Sequence, residues 1–246
     1  MNPRVPAATR RTTRPVFYLA LACVYVLITV IGFSRRYFLP LSDGSFTAPA
    51  IVHVHGIITL GWVGFVVLQS ALVATGRTSL HRSLGMAGIA LGALLVFTAT
   101  ELVLLQLARG LKGDGPAPRE FAALMLSTLV LIATLFGTAI AQVNRPEIHK
   151  RLMTLATIVI LTPALARIIQ LGAPSLSRLA RNDLAVCASD ALALAVITID
   201  ARWRGRPHPA YLLGGAGIVA VQLAALLLRS TPLWRSATDW LASLVG

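Results

Sequence analysis

Lysine is nearly absent: Lys112 and Lys150 are the only two in 246 residues. Both fall in stretches that read as loops, so no lysine is available within an apolar segment to form a retinal Schiff base. Cysteine is as scarce. Cys23 and Cys187 each lie inside an apolar run, which argues against a structural disulfide. No CxxC, H-E-x-x-H, G-x-S-x-G or glycine-rich phosphate loop occurs. Classical zinc or serine proteolysis and nucleotide hydrolysis therefore have no basis in this chain. Acidic residues number nine against 22 Lys and Arg, a net charge of +13. A nucleic-acid surface would need basic residues interleaved with aromatics. Only Arg4, Arg10, Arg11 and Arg14 form a basic tail, without such aromatics, so no nucleic-acid partner is expected.

What the chain has is apolar length. Hydrophobic residues make up 56% and the mean hydropathy is +0.76, too high for an ordinary soluble domain. Charge-poor runs recur at the roughly 20-residue length that a bilayer-spanning helix needs. They predict seven helices near 16–33, 50–74, 83–107, 120–142, 150–172, 184–201 and 209–229. The runs are rich in Ala and Leu rather than alternating, which disfavours a β-barrel. The expected fold is an all-α polytopic transmembrane bundle over 16–229. A basic cytoplasmic tail at 1–15 precedes it and a short tail at 230–246 follows. The first run resembles a signal-peptide core, but it is long and Gly32-Phe33-Ser34-Arg35-Arg36 is a poor cleavage site, so it reads as an uncleaved helix.

The basic residues sort by side. The N-terminal tail and the loops at 75–82, 143–151 and 202–208 hold twelve Lys and Arg; the opposite loops and the C-terminal tail hold nine, and Arg167 falls inside a span. The positive-inside rule then predicts a cytoplasmic N-terminus and an external C-terminus in a bacterial inner membrane. On this threading His53, His55, Glu101, Arg167 and Asp190 all fall within about 10 Å of the outer boundary. His81, His149 and His208 fall at the inner one.

Charges in hydrocarbon persist where a partner, a cavity or a ligand compensates them. Arg167 and Asp190, on successive helices, read most simply as an ion pair; alternatively Arg167 holds an anionic group such as a haem propionate or lipid phosphate and Asp190 accepts a proton. Glu101 either joins this layer or reaches the headgroups. His53 and His55, two apart on a helix, project about 200° apart, so only one can face a given site squarely. One histidine with Glu101 or Asp190 would suit zinc, iron or manganese; the plainer reading is hydrogen bonding to loop carbonyls. At the inner layer, two of His81, His149 and His208 could ligate a haem b, or all three a transition metal (zinc, iron, copper or manganese); as plain helix-start residues they need no ligand. The glycines Gly85, Gly88 and Gly92, with Gly56, Gly61 and Gly64, point to close helix packing or to room for a flat cofactor. Pro163 predicts a kink one turn before Arg167.

The motifs His53-Val-His55-Gly56, His81-Arg82-Ser83-Leu84-Gly85, His149-Lys150-Arg151-Leu152-Met153 and Gly205-Arg206-Pro207-His208-Pro209 resemble those of an uncharacterised family of bacterial multi-pass membrane proteins. That family is similar in turn to wider membrane-protein groups of unknown function, in which a tryptophan stands where this chain has Leu152. The resemblance implies a recurring five-histidine pattern and no particular activity. His-basic-x-Leu at both 81–84 and 149–152 also hints at an internal repeat.

The leading expectation is an inner-membrane protein that binds haem or a transition metal through its histidines. It would act in membrane redox chemistry or redox-complex assembly, beside the lipid bilayer and a membrane redox partner. The alternatives are a transporter whose polar path is lined by Glu101, Arg167 and Asp190, and a structural accessory subunit.

Overall fold

A computed structural model describes residues 15–111 and 118–244. The expected basic tail up to Arg14 and the loop holding Lys112 lie outside the described residues. Every element is helical. α1 (Pro15–Phe33) continues through a π-helical turn (Ser34–Phe38) into the short α2 (Leu39–Ser42). There follow α3 (Ala50–Ala74), α4 (Thr78–Leu111), α5 (Pro118–Ala141), α6 (Pro146–Ile160), α7 (Thr162–Gly172), α8 (Arg178–Arg204), α9 (Pro209–Leu228) and α10 (Pro232–Ser243). Six stretches are long and apolar enough to cross a membrane, and α6 with α7 make a seventh, bent by 41°. This is the helical content of a multi-pass membrane protein.

Local chemistry sets the boundaries. Proline occupies the first turn of α6, α9 and α10, where its missing N–H costs nothing. Ser177 and Thr231 cap α8 and α10 by accepting from the Ala180 and Trp234 N–H groups at 3.2 Å, as short hydroxyl side chains do at helix starts. Gly205 ends α8 at φ +77, a left-handed conformation that only glycine adopts freely. α10 corrects the expectation of a simple C-terminal tail. It packs on α4 and α5, tied by Trp234 Nε1 donating to the Arg119 carbonyl at 2.7 Å and by the Arg119–Asp239 ion pair at 2.6 Å.

The bend lies where Pro163 predicts it. Proline cannot donate to the Val159 carbonyl, and the Thr162 hydroxyl donates there instead at 2.9 Å. The Ile158 carbonyl takes the Leu161 N–H at 3.0 Å and the Ser189 hydroxyl at 3.3 Å. Hydroxyls thus satisfy groups that a break would leave exposed to hydrocarbon.

α6 is the centre of the bundle. Leu155, Ala156 and Ile158 are fully buried against α1, α5, α8 and α9, whereas Met86, Leu213 and Leu227 face outward with over 70% exposure, as side chains meeting lipid do. Gly32 brings α1 onto the backbone of Ala164 in α7. Gly88 and Gly92 instead receive the rings of Phe65 and Phe136, so packing accounts for these glycines and no slot for a flat cofactor is needed there. Cys23 and Cys187 are free and exposed.

Candidate functional site

A cavity of ≈ 630 Å³ opens between α1, α3, α4, α5, α7 and α8. Its interior is mostly aliphatic, with Leu60, Leu95, Leu129 and Ile132 on the walls, and the hydroxyls of Thr29, Thr59 and Thr128 among the few polar groups. The rim is different. Arg36, Arg167, Arg178 and Arg181 all line the cavity, and among the described residues no Asp or Glu does.

Among the described residues each guanidinium finds only neutral partners. Arg167 Nη1 donates to the Pro163 carbonyl at 2.9 Å, and its charge sits 4.3 Å from the centre of the Phe33 ring. Arg178 donates to Gln106 Oε1 at 2.7 Å and lies 4.0 Å over Phe121. The Gln170 amide oxygen, oriented to satisfy its surroundings, accepts from both Arg36 and Arg181. Four cationic side chains thus share one cavity wall.

His55 is set into the cavity wall by a hydrogen-bond chain that fixes its tautomer. The Thr98 hydroxyl donates to the Leu94 carbonyl at 2.8 Å, so its oxygen accepts from His55 Nδ1 at 3.0 Å. Nδ1 therefore carries the proton. Nε2 keeps its lone pair, approached by the Thr59 hydroxyl at 3.3 Å.

Not all the expected outer-layer residues meet here. His53 turns away and packs against Phe46 and Tyr37, with ring centres 5.2 and 6.0 Å apart. Glu101 is exposed and lines no part of the cavity. The expected Arg167–Asp190 ion pair does not form: Asp190 accepts from Gln222 Nε2 on α9 at 3.0 Å, while Arg167 points toward α1. The two residues sit on successive helices but face different neighbours. Among the described residues no three His, Cys, Asp or Glu side chains converge to hold a metal ion.

At the opposite end of the bundle, His81 and His149 face one another with ring centres 6.4 Å apart and planes at 78°. His208 does not join them. Its Nδ1 caps α9, accepting from the Ala210 N–H at 3.0 Å, and burial with the nearby charges of Arg151 and Arg204 holds this imidazole below the ordinary histidine range.

Two features escaped the sequence reading. One is the cationic rim, because Arg36, Arg178 and Arg181 at helix ends resemble plain headgroup anchors. The other is Arg151, paired with Asp200 in the bundle interior. The signal available for the rim was that three basic positions share the side of Arg167. Comparison of the chain with protein-family models, with curated proteins and with solved structures gives no match.

Proposed function

We propose that this protein binds an amphiphilic organic anion, its headgroup held by Arg36, Arg167, Arg178 and Arg181 and its apolar part lying along the aliphatic walls. One observation carries the reading: four guanidiniums converge on the cavity rim with no carboxylate among its described lining residues. Uncompensated charge at the edge of hydrocarbon is expensive, and guanidiniums match phosphate and carboxylate oxygens in pairs. The cavity volume lies in the range of sites that enclose small-molecule ligands. His55 Nε2 supplies an acceptor for a hydroxyl or amide proton on the ligand. Of the polar path expected for a transporter, only Arg167 lines the cavity, so binding is better supported than passage. The excess of basic residues on the opposite side supports an outward-facing rim in a bacterial inner membrane.

The test compares two amphiphiles with the same tail. Dodecyl phosphate is titrated into the purified protein, by calorimetry or native mass spectrometry, against dodecyl maltoside. Binding of the phosphate at least about tenfold tighter, with that preference lost in Arg167→Gln/Arg178→Gln, supports the reading. Equal affinity for both, or an unchanged preference in the double variant, rejects it.

A further inference from the structure

The His81–His149 pair lies far from the anion cavity. His55 and Gln69 share α3, and the 14-residue step from one to the other places the pair's end of the bundle about 21 Å along that helix. We infer that His81 and His149, with Gln69 beside them, form a site for a metal centre that takes two neutral imidazoles on opposite sides.

Four observations converge. The rings stand 6.4 Å apart, centre to centre. Metal–imidazole bonds are about 2.0 Å, so two imidazole nitrogens across one metal stand about 4 Å apart and their ring centres about 6 Å. His149 Nδ1 donates to the Ala139 carbonyl at 2.8 Å, which leaves its Nε2 with a lone pair and fixes the ring, as the outer partners of metal-bound histidines do. Among the described residues His81 Nδ1 is buried with no hydrogen-bond partner, and so are both amide atoms of Gln69 on the neighbouring α3. Buried polar atoms without partners are rare and call for a ligand or water. Finally, the two copies of the His-basic-x-Leu pattern, at the starts of α4 and α6, are the segments that meet here.

The donor set restricts the metal. No third His, Cys, Asp or Glu accompanies the pair among the described residues, which removes a tetrahedral zinc site. All the donors are neutral, and the nearby acids are already engaged: Glu147 binds Lys150 and Arg151, and Asp200 binds Arg151. A divalent ion would carry two uncompensated charges into a poorly solvating site, beside the charge of Arg82. Two sources avoid this. One is a bare cuprous ion, with a single charge and two ligands in line; the other is the iron of a tetrapyrrole, whose ring neutralises the metal.

Purified full-length protein is examined as isolated, after incubation with cuprous ion under ascorbate, and after incubation with haemin. Copper is measured by elemental analysis and haem by absorption. Stoichiometric copper without a Soret band supports the bare ion; a Soret band with equimolar iron supports the tetrapyrrole. In either case His81→Ala and His149→Ala each lose the metal while His208→Ala and Arg167→Gln keep it, all four remaining monodisperse and helical. Should the single variants misfold, His81→Gln and His149→Gln serve in their place. Absence of both metals from the wild type under all three conditions overturns the inference, leaving water as the partner of the orphaned atoms. So does retention in His81→Ala/His149→Ala, or equal loss in His208→Ala.

Discussion

Arg151 and Asp200, separated by 49 residues, form a two-pronged ion pair in the bundle interior. Nη2 donates to Oδ1 at 2.5 Å and Nε to Oδ2 at 3.1 Å, with both side chains at 1% exposure or less. The remaining nitrogen, Nη1, donates to the carbonyl and to the carboxylate of Glu147, each at 2.7 Å. The pair joins α6, the central helix, to α8.

Removing Arg151 strands the buried Asp200 charge, whereas removing Asp200 leaves Arg151 with the Glu147 carboxylate. Arg151→Met is expected to destabilise the fold by about 3–5 kcal/mol, and Asp200→Asn by less. Arg151→Met combined with Asp200→Leu should recover most of that loss, since no buried charge is left alone. Unfolding midpoints in detergent, as a double-mutant cycle, decide it; simple additivity of the two losses would mean that the pair is not coupled.

Close approach of α1 to α7 depends on Gly32. A Cβ there would stand 2.5 Å from the Ala164 carbonyl oxygen, whereas nothing lies within 4 Å of one built on Gly64. Gly32→Ala is expected to cost about 1–3 kcal/mol through overpacking. Gly64→Ala should be neutral or stabilising by up to about 1 kcal/mol through helix propensity. Thermal scans of the two variants side by side check this, and a neutral Gly32→Ala would contradict the contact.

His208 makes the start of α9 sensitive to pH. Its Nδ1 accepts the Ala210 N–H only while unprotonated, and its folded-state pKa is lowered by burial and by Arg151 and Arg204. Below about pH 6.5 the unfolded chain binds a proton that the folded one resists. Stability should therefore fall as pH drops from about 6.5 toward the folded-state value and be unaffected above it. His208→Asn keeps an acceptor at the cap without titrating. Its unfolding midpoint should lose that part of the acid dependence, and a profile identical to wild type would count against the cap.

The bend at Pro163 places Arg167 at the rim. Pro163→Ala restores an N–H for the Val159 carbonyl and should straighten the α6–α7 junction. The expected result is a loss of dodecyl phosphate affinity of about tenfold or more, with little change in stability, because the hydroxyls of Thr162 and Ser189 already serve the broken turn. Unchanged affinity would show that the rim does not need the bend.

Spans were legible in the sequence and directions were not. Uninterrupted apolar length located the spans, and Pro163 located the break. Two-residue spacing separated the faces of His53 and His55, which is how one meets the cavity and the other the rings of Tyr37 and Phe46. Arg167 and Asp190 were placed at one depth, yet their azimuths send them to α1 and α9. An α-helix passing through the middle of a bundle has neighbours all round, so periodicity alone does not say which one a polar residue meets. Arg151 was hidden for a related reason: it sits one turn into α6 beside Lys150, where basic residues ordinarily end in water, but α6 is enclosed on every side.

The two thiols, one on α1 and one on α8, point away from the protein interior and share no bond. Reductants and oxidants thus leave the covalent framework untouched. Both sulfurs are native handles for maleimide probes of differing lipid solubility, which can measure how deeply two helices sit without altering a single packed residue.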